Sequence, residues 1–169
     1  FDHFCLSLKE GSELVVQLLR KLAEYQRVTV EALVVEQDVG GFWVGDDVAY
    51  SEALLVSPRF LREHLFPIYG EIGEICHTHD KIYIYHSDGK LYEVLEDIMR
   101  CGFDALHPVE PKAMDIVSLK EDVGNRLCLI GNIDLGYTLT RGTPAEVEAE
   151  VRERIRLLAP GGGYCLGSS

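Results

Sequence analysis

Residues 82–90 read Ile82-Tyr83-Ile84-Tyr85-His86-Ser87-Asp88-Gly89-Lys90. Four β-favouring residues run straight into a histidine, a serine, an aspartate and a glycine. A strand that ends in a turn needs only the glycine, so three chemically capable side chains at one strand end call for another explanation. Side chains alternate along a strand, so His86 and Asp88 point to one side together with Ile82 and Ile84, while Tyr83 and Tyr85 point to the other.

The arrangement recurs. GGFWVGDD (40–47), CGFDALHP (101–108) and GGGYCLGSS (161–169) each set a glycine and an aromatic before a short strand and a polar turn. Strands are expected to begin near residues 41, 81, 103, 126 and 162. Amphipathic helices fill the intervals. Ser57-Pro58 is a helix start that runs into the 70s. Leu91, Val94, Leu95, Ile98 and Met99 form an apolar stripe stopped at Gly102. A helix over 113–123 stops at Gly124, and Thr143-Pro144-Ala145-Glu146 opens another with a capping box whose apolar face is Val147, Val151, Ile155 and Leu158. Before the first strand, Ser12 caps a helix with Leu14, Val15, Leu18, Leu19 and Leu22 at helical spacing, and a second apolar segment covers 28–39. Strands alternating with amphipathic helices imply parallel β-structure with right-handed crossovers.

The chain has 169 residues, 47% of them hydrophobic, which is ordinary for a single globular domain. A net charge of −12 argues against nucleic acid as a partner, and no basic run suits an anionic membrane surface. No stretch approaches the ~20 apolar residues of a membrane span. Five scattered cysteines (Cys5, Cys76, Cys101, Cys128, Cys165) without a CxxC read as reduced thiols, and the expected location is the cytoplasm. The first residue is Phe1 rather than Met, so the chain is read as part of something longer.

Polar groups gather after each strand: Asp46 and Asp47, His86 and Asp88, His107 and Glu110, Asn132 and Asp134, then Ser168. These are the carboxyl ends of parallel strands, the edge that carries the active site in (β/α)₈ barrels and open α/β sheets alike. No strand leads into a G-x-G-x-x-G or P-loop signature, which weakens a nucleotide-binding open sheet. A whole barrel takes ~250 residues, so five βα units would be an incomplete one. Pattern alone leaves both architectures open.

The run HSDG, then GFDALHPVEPKAMDIVSLKEDVGNRLCLIGNIDL, then LTRGTPAEVEAEVRERIRLLAPGGGYCLGSS resembles the uroporphyrinogen decarboxylase superfamily, which includes the corrinoid- and thiol-dependent methyltransferases. The upstream WVGDDVAY and SPRFLREHLFPIYGEI are similar to its middle region, so the likeness covers 40–169 well and 1–40 loosely. The resemblance implies an α/β fold of the (β/α)₈ TIM-barrel type. Residues 1–169 would be the carboxyl-terminal part of one such barrel, about five βα units, whose amino-terminal strands are absent from this chain. On that fold Ile82 and Ile84 face the barrel interior and the two tyrosines pack beneath helices. GNID at 131–134 is similar to the Gly-Asn-Leu-Asp segment of the decarboxylases, whereas Gly167-Ser168-Ser169 stands where they carry Gly-His-Gly. The methyltransferase branch has His-x-Cys-Gly where this chain has His86-Ser87-Asp88-Gly89, and a cysteine after the last strand. There, histidine and two cysteines hold zinc, which keeps a substrate thiol as thiolate.

Three functions follow. The first is methyl transfer involving a corrinoid, on its own or on a corrinoid protein, or a thiol cosubstrate, near His86 and Asp88; zinc, if bound, would take His86, Asp88 and Cys165. The second is cofactor-free decarboxylation (a lyase reaction) of a tetrapyrrole or other polycarboxylate, with Asp46 or Asp47 handling the proton. Only one of these two neighbours faces the mouth, and strand parity does not say which. The third is a binding barrel without catalysis. Asn132 and Asp134 join the catalytic candidates, and His107, Glu110 and Ser168 are expected to bind the small-molecule substrate. Cys76-His77-Thr78-His79-Asp80 has metal-ligating composition but precedes a strand, on the stability face, and is expected to be a solvated loop.

Overall fold

The computed structural model describes residues 2–10 and 12–169; the side chain of Cys5 lies outside what is described. Helices α1 (Asp2–Lys9) and α2 (Glu13–Leu33) precede strand β1 (Gly41–Gly45). A short α3 (Pro58–Phe60), a π turn (Leu61–Leu65) and α4 (Phe66–Thr78) lead to β2 (Ile82–His86). A 3₁₀ turn (Tyr92–Val94) and α5 (Leu95–Arg100) lead to β3 (Ala105–His107), and α6 (Ile116–Val123) leads to β4 (Cys128–Ile133). Finally α7 (Thr138–Arg141) and α8 (Pro144–Leu158) lead to β5 (Tyr164–Ser168).

All five strands are parallel and lie in the order β1-β2-β3-β4-β5. That order decides the architecture. An open doubly wound sheet reverses its strand order at a switch point, whereas a barrel adds each strand beside the last. The sheet is therefore an arc of a (β/α)₈ barrel, present as about five βα units.

The two faces of the sheet differ as strand parity predicts. Tyr83, Tyr85, Leu106 and Leu129 are fully buried beneath the helices. On the opposite, inner face Trp43 and Ile82 remain more than half exposed, and Trp43, Ile84, Ala105 and Cys128 share one register row. Phe103 stacks on Tyr83 with ring centres 4.1 Å apart and meets Tyr85 at 4.8 Å, with Tyr69 of α4 completing the cluster. Full burial of one such side chain contributes about 1.5–3 kcal/mol. It also pushes the Tyr69, Tyr83 and Tyr85 phenols above their ordinary range.

Local signals behave as their chemistry requires at most junctions. Ser57 Oγ accepts from the Phe60 N–H at 3.2 Å, and Thr143 with Glu146 forms the complete capping box. Gly102 closes α5 with φ +84. The helix from Pro58 is not regular: Pro67 brings no N–H to bond the carbonyl four residues back, and the turn just before it widens to a π turn in which Phe66 N–H reaches Leu61 O.

Five expectations are corrected. The amino-terminal apolar residues form one 21-residue helix rather than two segments, and Ser12 makes no side-chain cap. Val15 and Val30 of that helix are buried, but Leu14, Leu18, Leu22 and Tyr25 are exposed. Cys76, His77 and Thr78 finish α4 instead of forming a loop, with Cys76 completely buried and its thiol pushed up to about 11 by that burial. His77 Nε2 lies 3.2 Å from Asp104 Oδ2. The segment 131–133 is strand rather than turn, and α6 begins at Ile116, where the Asp115 carboxylate caps the Val117 N–H at 3.0 Å.

Candidate active site

The carboxyl ends of β1 and β2 lie side by side because Gly45 pairs with His86 in the parallel register. The chain after β1 then folds back over the end of β2 and is fastened there. Val48 N–H donates to the Ser87 hydroxyl at 3.1 Å, and Lys90 N–H donates to the Tyr50 carbonyl at 3.0 Å. Gly89 makes this possible: its φ is +91, and a Cβ there would lie 2.6 Å from both the Ala49 carbonyl carbon and the Tyr50 nitrogen. Ser87, only 1% exposed, and Gly89 are thus the clamp for the 46–56 segment. His86 and Asp88, in between, are left to face the mouth.

Asp46 and Asp47 separate as neighbours in an extended chain must. Asp46 turns to the helix side, where its Oδ2 accepts from the Tyr69 hydroxyl at 2.5 Å and its carbonyl accepts from the Tyr85 hydroxyl at 2.9 Å. Its contacts fasten β1 to α4. Asp47 shares the inner face with Trp43. Its Oδ1 accepts from the Asp88 backbone N–H at 2.9 Å and lies 3.8 Å from His86 Nε2. One ligand atom each of Asp47, His86 and Asp88 falls within 4.8 Å of the others, the group of metal-ligating side chains found among the described residues.

His107 lies beside His86 because β3 pairs with β2 in register. The two Nδ1 atoms are 2.6 Å apart, and the Trp43 and His107 rings meet in a T-shaped contact with 5.0 Å between centres. Burial, then the neighbouring His86, lowers the His107 pKa, and a hydrogen bond to the Ser168 backbone opposes them. Asp88 is pushed above the ordinary carboxylate range by burial first and by the Asp47 charge second, with His86 opposing.

The remaining candidates lie around this cluster. Glu110 Oε1 accepts from the Ser51 hydroxyl at 2.6 Å, tying the 46–56 segment to the next loop. Asp134 is largely committed to its own turn, its oxygens accepting from Gly136 N–H at 2.8 Å and Tyr137 N–H at 3.1 Å. Both line a cleft of about 290 Å³ with Asp88, Lys112 and Ser169. Asn132 is buried within β4 and donates to the Val109 carbonyl at 2.8 Å, so its side chain braces the β3 loop. Ser168 ends β5, exposed. Cys165 is exposed opposite Ile130 and lies outside the Asp47–His86–Asp88 group. Three strand spacings of ~4.8 Å separate β5 from β2 along the sheet. Sequence reasoning gave no role to Ser87, Gly89 or Lys112; for Ser87 and Gly89 the signal was in HSDG itself.

The donor set can be tested against a metal. Two carboxylates and an imidazole suit a divalent cation and leave a coordination position open. They are not the thiolate-rich set that favours zinc most strongly.

The comparisons with known proteins agree with this architecture. A family model described as uroporphyrinogen decarboxylase (URO-D) matches residues 1–169. The chain is 31% identical over 124 residues to the methylcobamide:CoM methyltransferase MtaA of Methanosarcina barkeri, covering 71% of this chain and 35% of that protein. The counterpart from the Fusaro strain is 29% identical over the same length. A solved methyltransferase from Methanosarcina mazei superposes with a TM-score of 0.76 at 25% identity, over 98% of this chain and 47% of that one. The chain thus spans about a third of the curated relatives' length and about half of the solved one's.

Proposed function

This chain belongs to the uroporphyrinogen decarboxylase family, and from that premise we propose that the protein transfers a methyl group from a corrinoid-borne donor to a thiol, at the mouth formed by the ends of β1 and β2. The observation that carries the proposal is the convergence of Asp47, His86 and Asp88 within 4.8 Å, in a chain whose relatives are methyltransferases. In the proposed reaction the thiol proton leaves to a base, the sulfur forms the new C–S bond, and the donor retains the electron pair of the bond that breaks. A divalent cation held by His86, Asp47 and Asp88 would supply one thing, a lowered thiol pKa. The protein's own residues do the rest. Asp88, whose backbone N–H donates to Asp47 Oδ1, is held so that both carboxylates meet His86 at one point beside the thiol, and the thiol proton leaves to water. Lys112, Glu110 and Asp134 line the cleft into which the remainder of the substrate extends.

The same reading assigns residues 1–169 to the carboxyl-terminal portion of a barrel whose other strands pair with the outer edges of β1 and β5. The exposed Trp43 and Ile82 on the inner face, and the exposed Leu14, Leu18 and Leu22 on α2, support it. These are large apolar side chains that a completed barrel would cover.

The test is metal content and methyl transfer together, on the intact protein purified without chelator. About one divalent ion per chain is expected, lost in His86→Ala along with demethylation of methylcobalamin by added thiol. A metal-free protein that still demethylates methylcobalamin would overturn the cation's role. Absence of both would overturn methyl transfer.

A further inference from the structure

The contact between His86 and His107 has a definite protonation requirement. Two ring nitrogens 2.6 Å apart must share one proton, because two lone pairs or two N–H groups would repel at that distance. The ring planes differ by 26° and the ring centres lie 4.9 Å apart. That separation exceeds the N–N distance by about two ring radii, so the rings meet edge to edge, the orientation in which an in-plane N–H points at an in-plane lone pair. We infer that His107 is a positioning residue, which accepts the His86 Nδ1 proton and so holds the bare His86 Nε2 toward the Asp47 and Asp88 carboxylates.

The direction of that proton follows from the proposed cation site. His86 Nε2 is 3.8 Å from Asp47 Oδ1, too far for a hydrogen bond but a span that a cation at ~2.0–2.2 Å from each atom would close. A nitrogen that ligates a cation carries no proton, so neutral His86 keeps its proton on Nδ1 and His107 Nδ1 accepts it. The His107 ring is held in place by packing against both His86 and Trp43. A histidine that presents one nitrogen to a metal commonly donates its other N–H to a fixed partner. Here that partner is a second histidine on the neighbouring strand. Direction and purpose rest on the proposed cation site, whereas the hydrogen-bond geometry does not.

The experiment is ¹⁵N NMR of the imidazole nitrogens in the intact protein, with cobalt(II) titration alongside. Wild type is expected to show His86 as the Nδ1–H tautomer. His107→Phe removes the acceptor, so His86 should revert to Nε2–H and cobalt affinity should fall about 10- to 100-fold. His107→Asn keeps an acceptor oxygen near the same place and should restore both the tautomer and most of the affinity, which a packing defect would not allow. An Nε2–H tautomer in wild type, or a His86 tautomer unchanged in His107→Phe, overturns the inference. The expected tautomers without cobalt binding would support His107's role and overturn the cation reading alone.

Discussion

Replacing Gly89 with alanine tests how the β2 end holds the segment that carries Asp47. The residue sits at φ +91, where a side chain adds roughly 1–2 kcal/mol of backbone strain. The new Cβ would also lie 2.6–2.7 Å from three backbone atoms of Ala49 and Tyr50, against the 3.4 Å at which ordinary contact begins. Backbone cannot rotate aside, so the 48–51 segment must retreat by about 0.8 Å. That retreat stretches the 3.1 Å Val48–Ser87 and 3.0 Å Lys90–Tyr50 hydrogen bonds beyond useful length. Losing them costs about 1–3 kcal/mol together, more of it from the buried Val48 N–H. The expected destabilisation is therefore about 2–5 kcal/mol, read as a lowered midpoint in urea-induced unfolding. Gly161→Ala is the control: its φ is +80 but nothing lies within 4 Å of the added Cβ, so only the strain of roughly 1–2 kcal/mol applies. If both variants lose the same stability, the close approach of the two segments has no energetic weight and the reasoning fails.

Two further outcomes follow from the packing and the charges. Asp115 caps α6, and its hydrogen bonds, to Ser118 first and to the Val117 N–H next, hold its carboxyl below the ordinary value of 3.8. The stabilisation is complete above that ordinary value and is lost as pH falls through the lowered one. Asp115→Asn should remove this part of the acid sensitivity, so the difference in urea midpoint between wild type and variant should shrink as pH falls below the ordinary value of 3.8; a constant difference would refute it. Separately, residues 1–169 expressed alone should self-associate through the open sheet face and the Leu14–Tyr25 stripe, where Leu14 and Tyr25 are 75% and 72% exposed. A monodisperse, sharply melting monomer in sedimentation and calorimetry would contradict that.

Much of the fold was legible because two periodicities were clean. Tyr83 and Tyr85 alternating with Ile82 and Ile84 gave both the strand and its buried face, and the Thr143–Glu146 box gave a helix start to the residue. His86 and Asp88 were readable as neighbours for the same reason. What escaped depended on partners in other strands. Asp47 could not be separated from Asp46 until Trp43 was known to face inward. His107 looked like a turn residue because only the β2–β3 register brings it against His86. Asn132 carried turn-like composition, yet strand pairing with β5 continued past it and buried it. The apolar stripe of α2 has helical spacing, but spacing alone does not say which residues the rest of this chain covers.

The inner face of the sheet also makes the protein its own indicator. Trp43 is the single tryptophan of the chain. Its indole is about half exposed and makes a T-shaped contact with the His107 ring. Whatever enters the mouth, alters the proton shared by the two histidines or closes over the open face therefore changes the colour or yield of one fluorophore. The tyrosines, by contrast, gather beneath the sheet on its far side. The events at this site can be followed in real time with light alone, without a label and without a known substrate.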